Sequence, residues 1–206
     1  MLRIGALISG GGRTVLNLAE SFRRDAIPAS IAVVIAHRSE LAGVERCRSA
    51  GLSVEVLPRS LPSPLSPTQS LDDRIDVALA DANVDLVCLC GYLRHFRVGQ
   101  RWAGRTLNIH PSLLPEFGGH GMFGDHVHAA VLAAGASHSG CTVHLVDEVY
   151  DRGPILLQRR CPVLPGDDVR TLAARVYAEE TLAYPEVVRR IATGELPLPI
   201  ALSRSF

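Results

Sequence analysis

The residues best suited to chemistry lie in Asn108-Ile109-His110-Pro111-Ser112-Leu113-Leu114-Pro115. Read as a strand that stops at Pro111, the segment puts Asn108 and His110 on one side and Ile109 on the other. An amide donor beside an imidazole suits acyl transfer. The amide can hydrogen-bond an oxygen as it becomes anionic, and the imidazole can stabilise that charge or move a proton. A second polar segment, Asp147-Glu148-Val149-Tyr150-Asp151-Arg152-Gly153-Pro154, reads as a turn between two apolar runs. An Asp returned from that turn to the strand end would pair with His110, orient it and raise its pKa. Either segment alone reads equally well as an ordinary polar loop; the pairing of the two points to a site.

A third feature is the turn Ser9-Gly10-Gly11-Gly12-Arg13-Thr14. Small residues between a strand and a helix let backbone N–H groups close on a phosphate, which the helix dipole favours. A dinucleotide fingerprint is incomplete, since Val15 stands at the third glycine position and Ala36-His37-Arg38 offers no carboxylate for a ribose diol. Arg38 keeps an NADP reading open, and a ligand-free tight turn is the plain alternative.

These segments sit in a regular alternation. Residues 3–9, 31–36, 53–57, 84–90, 106–109, 141–146 and 155–161 read as strands, the last two paired through their turn. Helical patterns fall at 14–24, 41–50, 71–82, 127–134 and 168–191, where Pro185 should kink or end the last helix. Residues 58–67 hold four prolines and three serines and cannot be helical. Near-continuous apolar strands between helices imply an α/β fold with a mostly parallel central sheet and helices on both faces. In such sheets ligands bind at the carboxyl ends of the strands, where Asn108 and His110 fall. One domain over 1–193 with a loose tail at 194–206 is expected.

Composition narrows the function. Of 206 residues 47% are apolar, and Lys+Arg and Asp+Glu each number 21, so nothing suggests a nucleic-acid or anionic-membrane partner. All 21 basic residues are arginine, which excludes Schiff-base chemistry and a P-loop lysine. No run approaches the roughly 20 apolar residues of a membrane span, and the first strand begins at once, without a signal segment. Five cysteines, two of them in the apolar run at Cys88 and Cys90, read as reduced core thiols of a cytoplasmic protein. His126 and His128, two apart on a helix, point away from each other, so no metal is expected. His144 reads as a hydrogen-bonded strand residue behind the site. Trp102 with Arg97, Arg101 and Arg105 reads as a solvated helical face.

Taken together these motifs resemble the phosphoribosylglycinamide formyltransferases, folate-dependent enzymes of purine synthesis. The resemblance runs over about residues 2–190. It is carried by the opening LISGGGR-T-x-L pattern, Leu89-Cys90-Gly91-Tyr92-Leu93-Arg94, residues 108–115, Gly121-Met122-Phe123-Gly124 with His126-Val127-His128, Gly140-Cys141-Thr142-Val143-His144, and residues 147–154. It implies a Rossmann-like formyltransferase fold and a catalytic trio of Asn108, His110 and Asp151. The co-substrate implied is 10-formyltetrahydrofolate, held by Leu93, Arg94, His95, Phe96, Asn108, Val146, Asp147 and Asp151. Phosphoribosylglycinamide would be held by Gly12, Arg13, Thr14, Gly91, Tyr177 and Glu180. No metal, nucleic acid or membrane partner is implied, and a homodimer is left open. The chain departs from the family pattern at Arg13, at Glu116, at Thr68 (where an arginine contact is expected) and at Arg152.

Competing readings are a formyltransferase for another amine such as an amino sugar, a 10-formyltetrahydrofolate hydrolase, a non-catalytic folate- or nucleotide-binding module, and an NADP-dependent oxidoreductase. Absence of a leading regulatory domain weighs against the hydrolase. Absence of a basic RNA-binding extension weighs against a transfer-RNA formyltransferase.

Overall fold

The computed structural model describes residues 1–58 and 70–200. The expected proline-rich loop beyond Pro58, Thr68 and the last six residues of the expected tail lie outside the described residues. The chain forms two compact units, Met1–Arg97 and Val98–Phe206.

The first unit is a run of β–α–β crossovers: β1 (Leu2–Ile8), α1 (Arg13–Arg24), β2 (Ala29–Ala36), α2 (Ala42–Ser49), β3 (Val54–Val56), α3 (Leu71–Asp81) and β4 (Leu86–Leu89). β1 is flanked by β2 and β4, β3 lies outside β2, and every pairing is parallel. The sequence accounts for this. β1 and β4 bury nearly every residue, as strands covered on both sides must. α3 starts at a capping box in which Ser70 accepts from the Asp73 amide and Asp73 answers at the Ser70 amide.

The second unit holds α4 (Gly99–Trp102), β5 (Thr106–His110), α5 (Asp125–Ala133), β6 (His138–Leu145), β7 (Ile155–Pro162) and α6 (Val169–Ala192). β5, β6 and β7 pair antiparallel, with Asn108 opposite His144 and His110 opposite Thr142. α6 packs on β6, β7 and α5.

Two expectations need correction. α6 does not end at Pro185 but continues to Ala192. Its buried face there comprises Ala183, Tyr184, Pro185, Val187 and Val188, and that packing outweighs the roughly 3 kcal/mol a helix-interior proline costs. Trp102 is not on a solvated face: it is 4% exposed, and its carbonyl accepts the Thr106 hydroxyl at 3.1 Å. The arginine spacing suggested a helix, yet only Gly99–Trp102 is helical, and Arg97 pairs with Asp73 of α3.

Candidate active site

β5 supplies two side chains and the β6–β7 turn supplies a third. His110 Nδ1 lies 3.5 Å from Asp151 Oδ2, and Asn108 Nδ2 lies 3.4 Å from Asp151 Oδ1. The expected trio is thus assembled, and the side chains of His110 and Asp151 are only 4% and 9% exposed. The turn that delivers Asp151 is tightly folded. Asp147 Oδ1 accepts the Val149 amide at 2.9 Å, and Asp151 itself takes a left-handed φ of 55°. A Cβ on Gly153 would collide with the Leu145 carbonyl, so only glycine lets the chain pass there.

A fourth residue joins the cluster. His144 Nε2 is 3.1 Å from Asn108 Nδ2 and 3.5 Å from Asp151 Oδ1, and its Nδ1 is 2.8 Å from the Leu145 carbonyl. A carbonyl can only accept, so Nδ1 carries the proton and Nε2 accepts from the Asn108 amide. His144 is a strand residue, as expected, but it stands beside the trio rather than behind it. Its position opposite Asn108 in the antiparallel ladder puts both side chains on the same face. That register was the missing signal.

The electrostatics follow from burial. His110 has a pKa below the ordinary value of 6.5: desolvation lowers it, while Asp151 and the Phe117 carbonyl only partly restore it. The expectation that Asp151 raises the His110 pKa therefore holds for the pairwise effect and fails for the net. Burial alone would raise the Asp151 pKa, but the His144 ring, the His110 charge and the Gly119 amide together leave it below the usual carboxylate value. At neutral pH the resting site is an ionised Asp151 facing a neutral His110.

The glycine turn belongs to the first unit. Gly12 caps α1 in the left-handed conformation (φ 71°), and the helix's first turn has no acidic side chain. The turn packs on α2: the Gly43 amide donates to the Gly10 carbonyl at 3.1 Å, and a Cβ on Gly43 would run into that carbonyl and sit 2.8 Å from the Gly12 nitrogen. Arg13 is exposed and Thr14 half-buried. Ser9 ties the turn to the loop after β4, its amide donating to the Gly91 carbonyl and its hydroxyl accepting the Leu93 amide, both at 3.1 Å. Along that loop Leu93 and His95 are exposed, Arg94 is half-buried and Phe96 is buried.

Other expected contacts are placed as follows. Val146 is half-buried, and its amide donates to the Thr106 carbonyl at 2.9 Å. Tyr177 and Glu180 are half-buried on α6, with Glu180 in electrostatic reach of Cys141 on β6. Among the departures, Glu116 and Arg152 are exposed, and the Arg152 amide closes the turn on the Val149 carbonyl at 3.4 Å.

Comparison with known proteins identifies the family. The formyl transferase family model matches residues 2–188. The chain belongs to the formyl transferase family. It is 39% identical over 193 residues to the chloroplastic phosphoribosylglycinamide formyltransferase of Vigna unguiculata, covering 92% of this chain and 60% of that protein. Against the phosphoribosylglycinamide formyltransferase of Haemophilus influenzae it is 34% identical, covering 96% of this chain and 91% of that one. The chain thus spans about three fifths of the Vigna unguiculata relative, and less than a fifth of the trifunctional purine biosynthetic proteins it also matches. Among solved structures, glycinamide ribonucleotide transformylase 1 from Symbiobacterium toebii superposes with a TM-score of 0.84 at 40% identity, covering 96% of this chain and 91% of that chain. This formyl transferase has the Rossmann-like, mostly parallel α/β fold of that relative. Among its described residues no helix is long and apolar enough to cross a membrane, and no group of three or more His, Cys, Asp or Glu could hold a metal.

Proposed function

We propose that this formyl transferase moves the formyl group of 10-formyltetrahydrofolate to the amine of 5-phosphoribosylglycinamide. The observation that carries the reading is the convergence of Asn108, His110 and Asp151 in one largely buried cluster, on a chain of this family.

The amine attacks the formyl carbon on N10, and the carbonyl oxygen becomes an oxyanion. An Asn108 amide hydrogen swings from the longer contact, to Asp151 at 3.4 Å, onto that oxygen. His110 enters as the neutral base its burial favours and takes the amine proton, and Asp151 stabilises the resulting imidazolium. The C–N10 bond then breaks and N10 receives the proton, through His110 or a water held by Asp151. No covalent enzyme intermediate is required. Gly12, Arg13 and Thr14 hold the phosphate at the α1 N-terminus, and Gly91, Tyr177 and Glu180 hold the rest of the ribonucleotide. Leu93, Arg94, His95, Phe96, Val146 and Asp147 hold the folate. Residues 1–193 work as one formyltransferase domain, a reading supported by the family match over 2–188. Five free, buried cysteines support a reducing, cytoplasmic setting.

The test is purified protein with 10-formyltetrahydrofolate, followed for tetrahydrofolate with and without the ribonucleotide. Turnover that requires the ribonucleotide is expected. Turnover without any amine would make the chain a hydrolase, and no turnover at all would make it a binding module.

A further inference from the structure

The chain that follows the catalytic strand turns back on it. The Phe117 carbonyl lies 2.8 Å from His110 Nε2, and two residues on the Gly119 amide donates at 2.9 Å to Asp151 Oδ2. That oxygen is the one facing His110 Nδ1. We infer that the backbone of Phe117, Gly118 and Gly119 is a clip that decides which ring nitrogen of His110 carries the proton, leaving Nδ1 free as the base. This rests on the formyl-transfer reading for its consequence, though not for its geometry.

Left to itself, an ionised carboxylate beside a neutral imidazole draws the ring proton to the nitrogen that faces it. Here that nitrogen is Nδ1, and the remaining base would be Nε2. The Phe117 carbonyl opposes this, because it has no proton to give and must accept one from Nε2. The Gly119 amide meanwhile satisfies Asp151 Oδ2 without the ring. One tripeptide thus acts on both halves of the pair, and in opposite senses: it holds a proton on the far side of the imidazole and replaces that proton at the carboxylate.

The clip has the backbone of a built device. Phe117 takes a φ of 54°, unusual for a residue with a bulky side chain, and Gly119 takes 100°. Between them, a Cβ on Gly118 would run into Leu114 Cδ2 and approach Asp151 Cβ to 3.3 Å. Leu114 has little room to retreat. Its amide donates to Thr142 Oγ1 at 3.0 Å, its carbonyl accepts from Gln158 Nε2 at 2.8 Å, and Ser112 Oγ donates to the Glu116 carbonyl at 2.6 Å. Leu114 is itself buried, so a side chain at position 118 presses on Leu114, the clip and Asp151 together. The two contacts also bear on titration in the expected way: the Phe117 carbonyl favours the charged His110, and the Gly119 amide favours the charged Asp151.

Two measurements test this. The first uses the wild-type protein with 15N-labelled histidine and reads the His110 tautomer by long-range 1H–15N NMR above its pKa. The Nε2–H form is expected, and an Nδ1–H form would overturn the clip. The second is Gly118→Ala. We expect the Nδ1–H form to appear, kcat to fall at least tenfold with both KM values within about threefold, and the acid limb of the kcat profile to move. A Gly118→Ala protein with the wild-type tautomer and an unmoved pH profile would also overturn it. Should that variant not fold, the wild-type tautomer decides alone. The NMR readout needs no turnover: an Nε2–H ring in a chain that fails to transfer formyl would refute the proposed function and leave the clip standing.

Discussion

His144→Phe is the most informative single change in the cluster. Phenylalanine keeps the flat ring on β6 and removes both nitrogens, so the site loses the acceptor 3.1 Å from Asn108 Nδ2 and the group 3.5 Å from Asp151 Oδ1. The residue is 2% exposed, so water cannot easily take over those contacts. Leaving one buried donor unpaired costs about 1–3 kcal/mol. The Asn108 amide then swings toward Asp151, the only remaining acceptor of the pair, and must be pulled back in the transition state. If most of that penalty falls on the transition state, kcat drops about 10–100-fold, since about 1.4 kcal/mol is tenfold. Neither substrate is assigned a contact with His144, so both KM values should stay within about threefold. Steady-state kinetics of His144→Phe, Asn108→Ala and the double variant form the assay. Because His144 acts through Asn108, the double variant should be little worse than Asn108→Ala alone. Full additivity of the two losses, or a His144→Phe kcat within twofold of wild type, would refute the reasoning.

Two further outcomes follow from particular contacts. Gly43→Ala drives a methyl into the Gly10 carbonyl and toward the Gly12 nitrogen, so it should raise KM for the ribonucleotide about tenfold or more and leave KM for the folate unchanged; an unchanged ribonucleotide KM would remove the glycine turn from phosphate binding. The lowered pKa of His110 means the unfolded chain binds more protons between that value and 6.5, so stability is fully present above about pH 6.5 and falls as pH drops through that window. Buried His128 has the same sign. Urea midpoints measured between about pH 7 and pH 5 should therefore fall less steeply in His110→Gln than in wild type, and equal slopes would contradict the burial of a neutral imidazole.

Much of the site was legible because it depends on local rules. Alternation along 106–110 put Asn108 and His110 on one face, and a polar turn between two apolar runs brought Asp151 back to them. The strands β1, β2, β6 and β7 were announced by apolar runs, and α1 and α3 by helical spacing. What escaped the sequence was set by tertiary packing. His144 joins the cluster only because β6 is in register with β5 at Asn108, and no local pattern encodes that register. The sign of the His110 shift depends on how deeply the ring is buried, which a carboxylate partner alone does not reveal. Trp102 and Pro185 misled for one reason: arginine spacing and proline are local signals, and the core overrode both.

The most direct measurement is a rapid-quench single turnover with 10-formyltetrahydrofolate carrying a labelled formyl group, run with wild-type protein and with Asp151→Asn. In the wild type the label should pass from folate to ribonucleotide without a stage on the protein. In Asp151→Asn both ligands should still bind, while transfer slows by about a thousandfold or more, as expected when a buried charge that supports a proton transfer is lost. Label held on the protein during turnover, or Asp151→Asn transferring at the wild-type rate, would contradict direct transfer through the Asn108, His110 and Asp151 cluster.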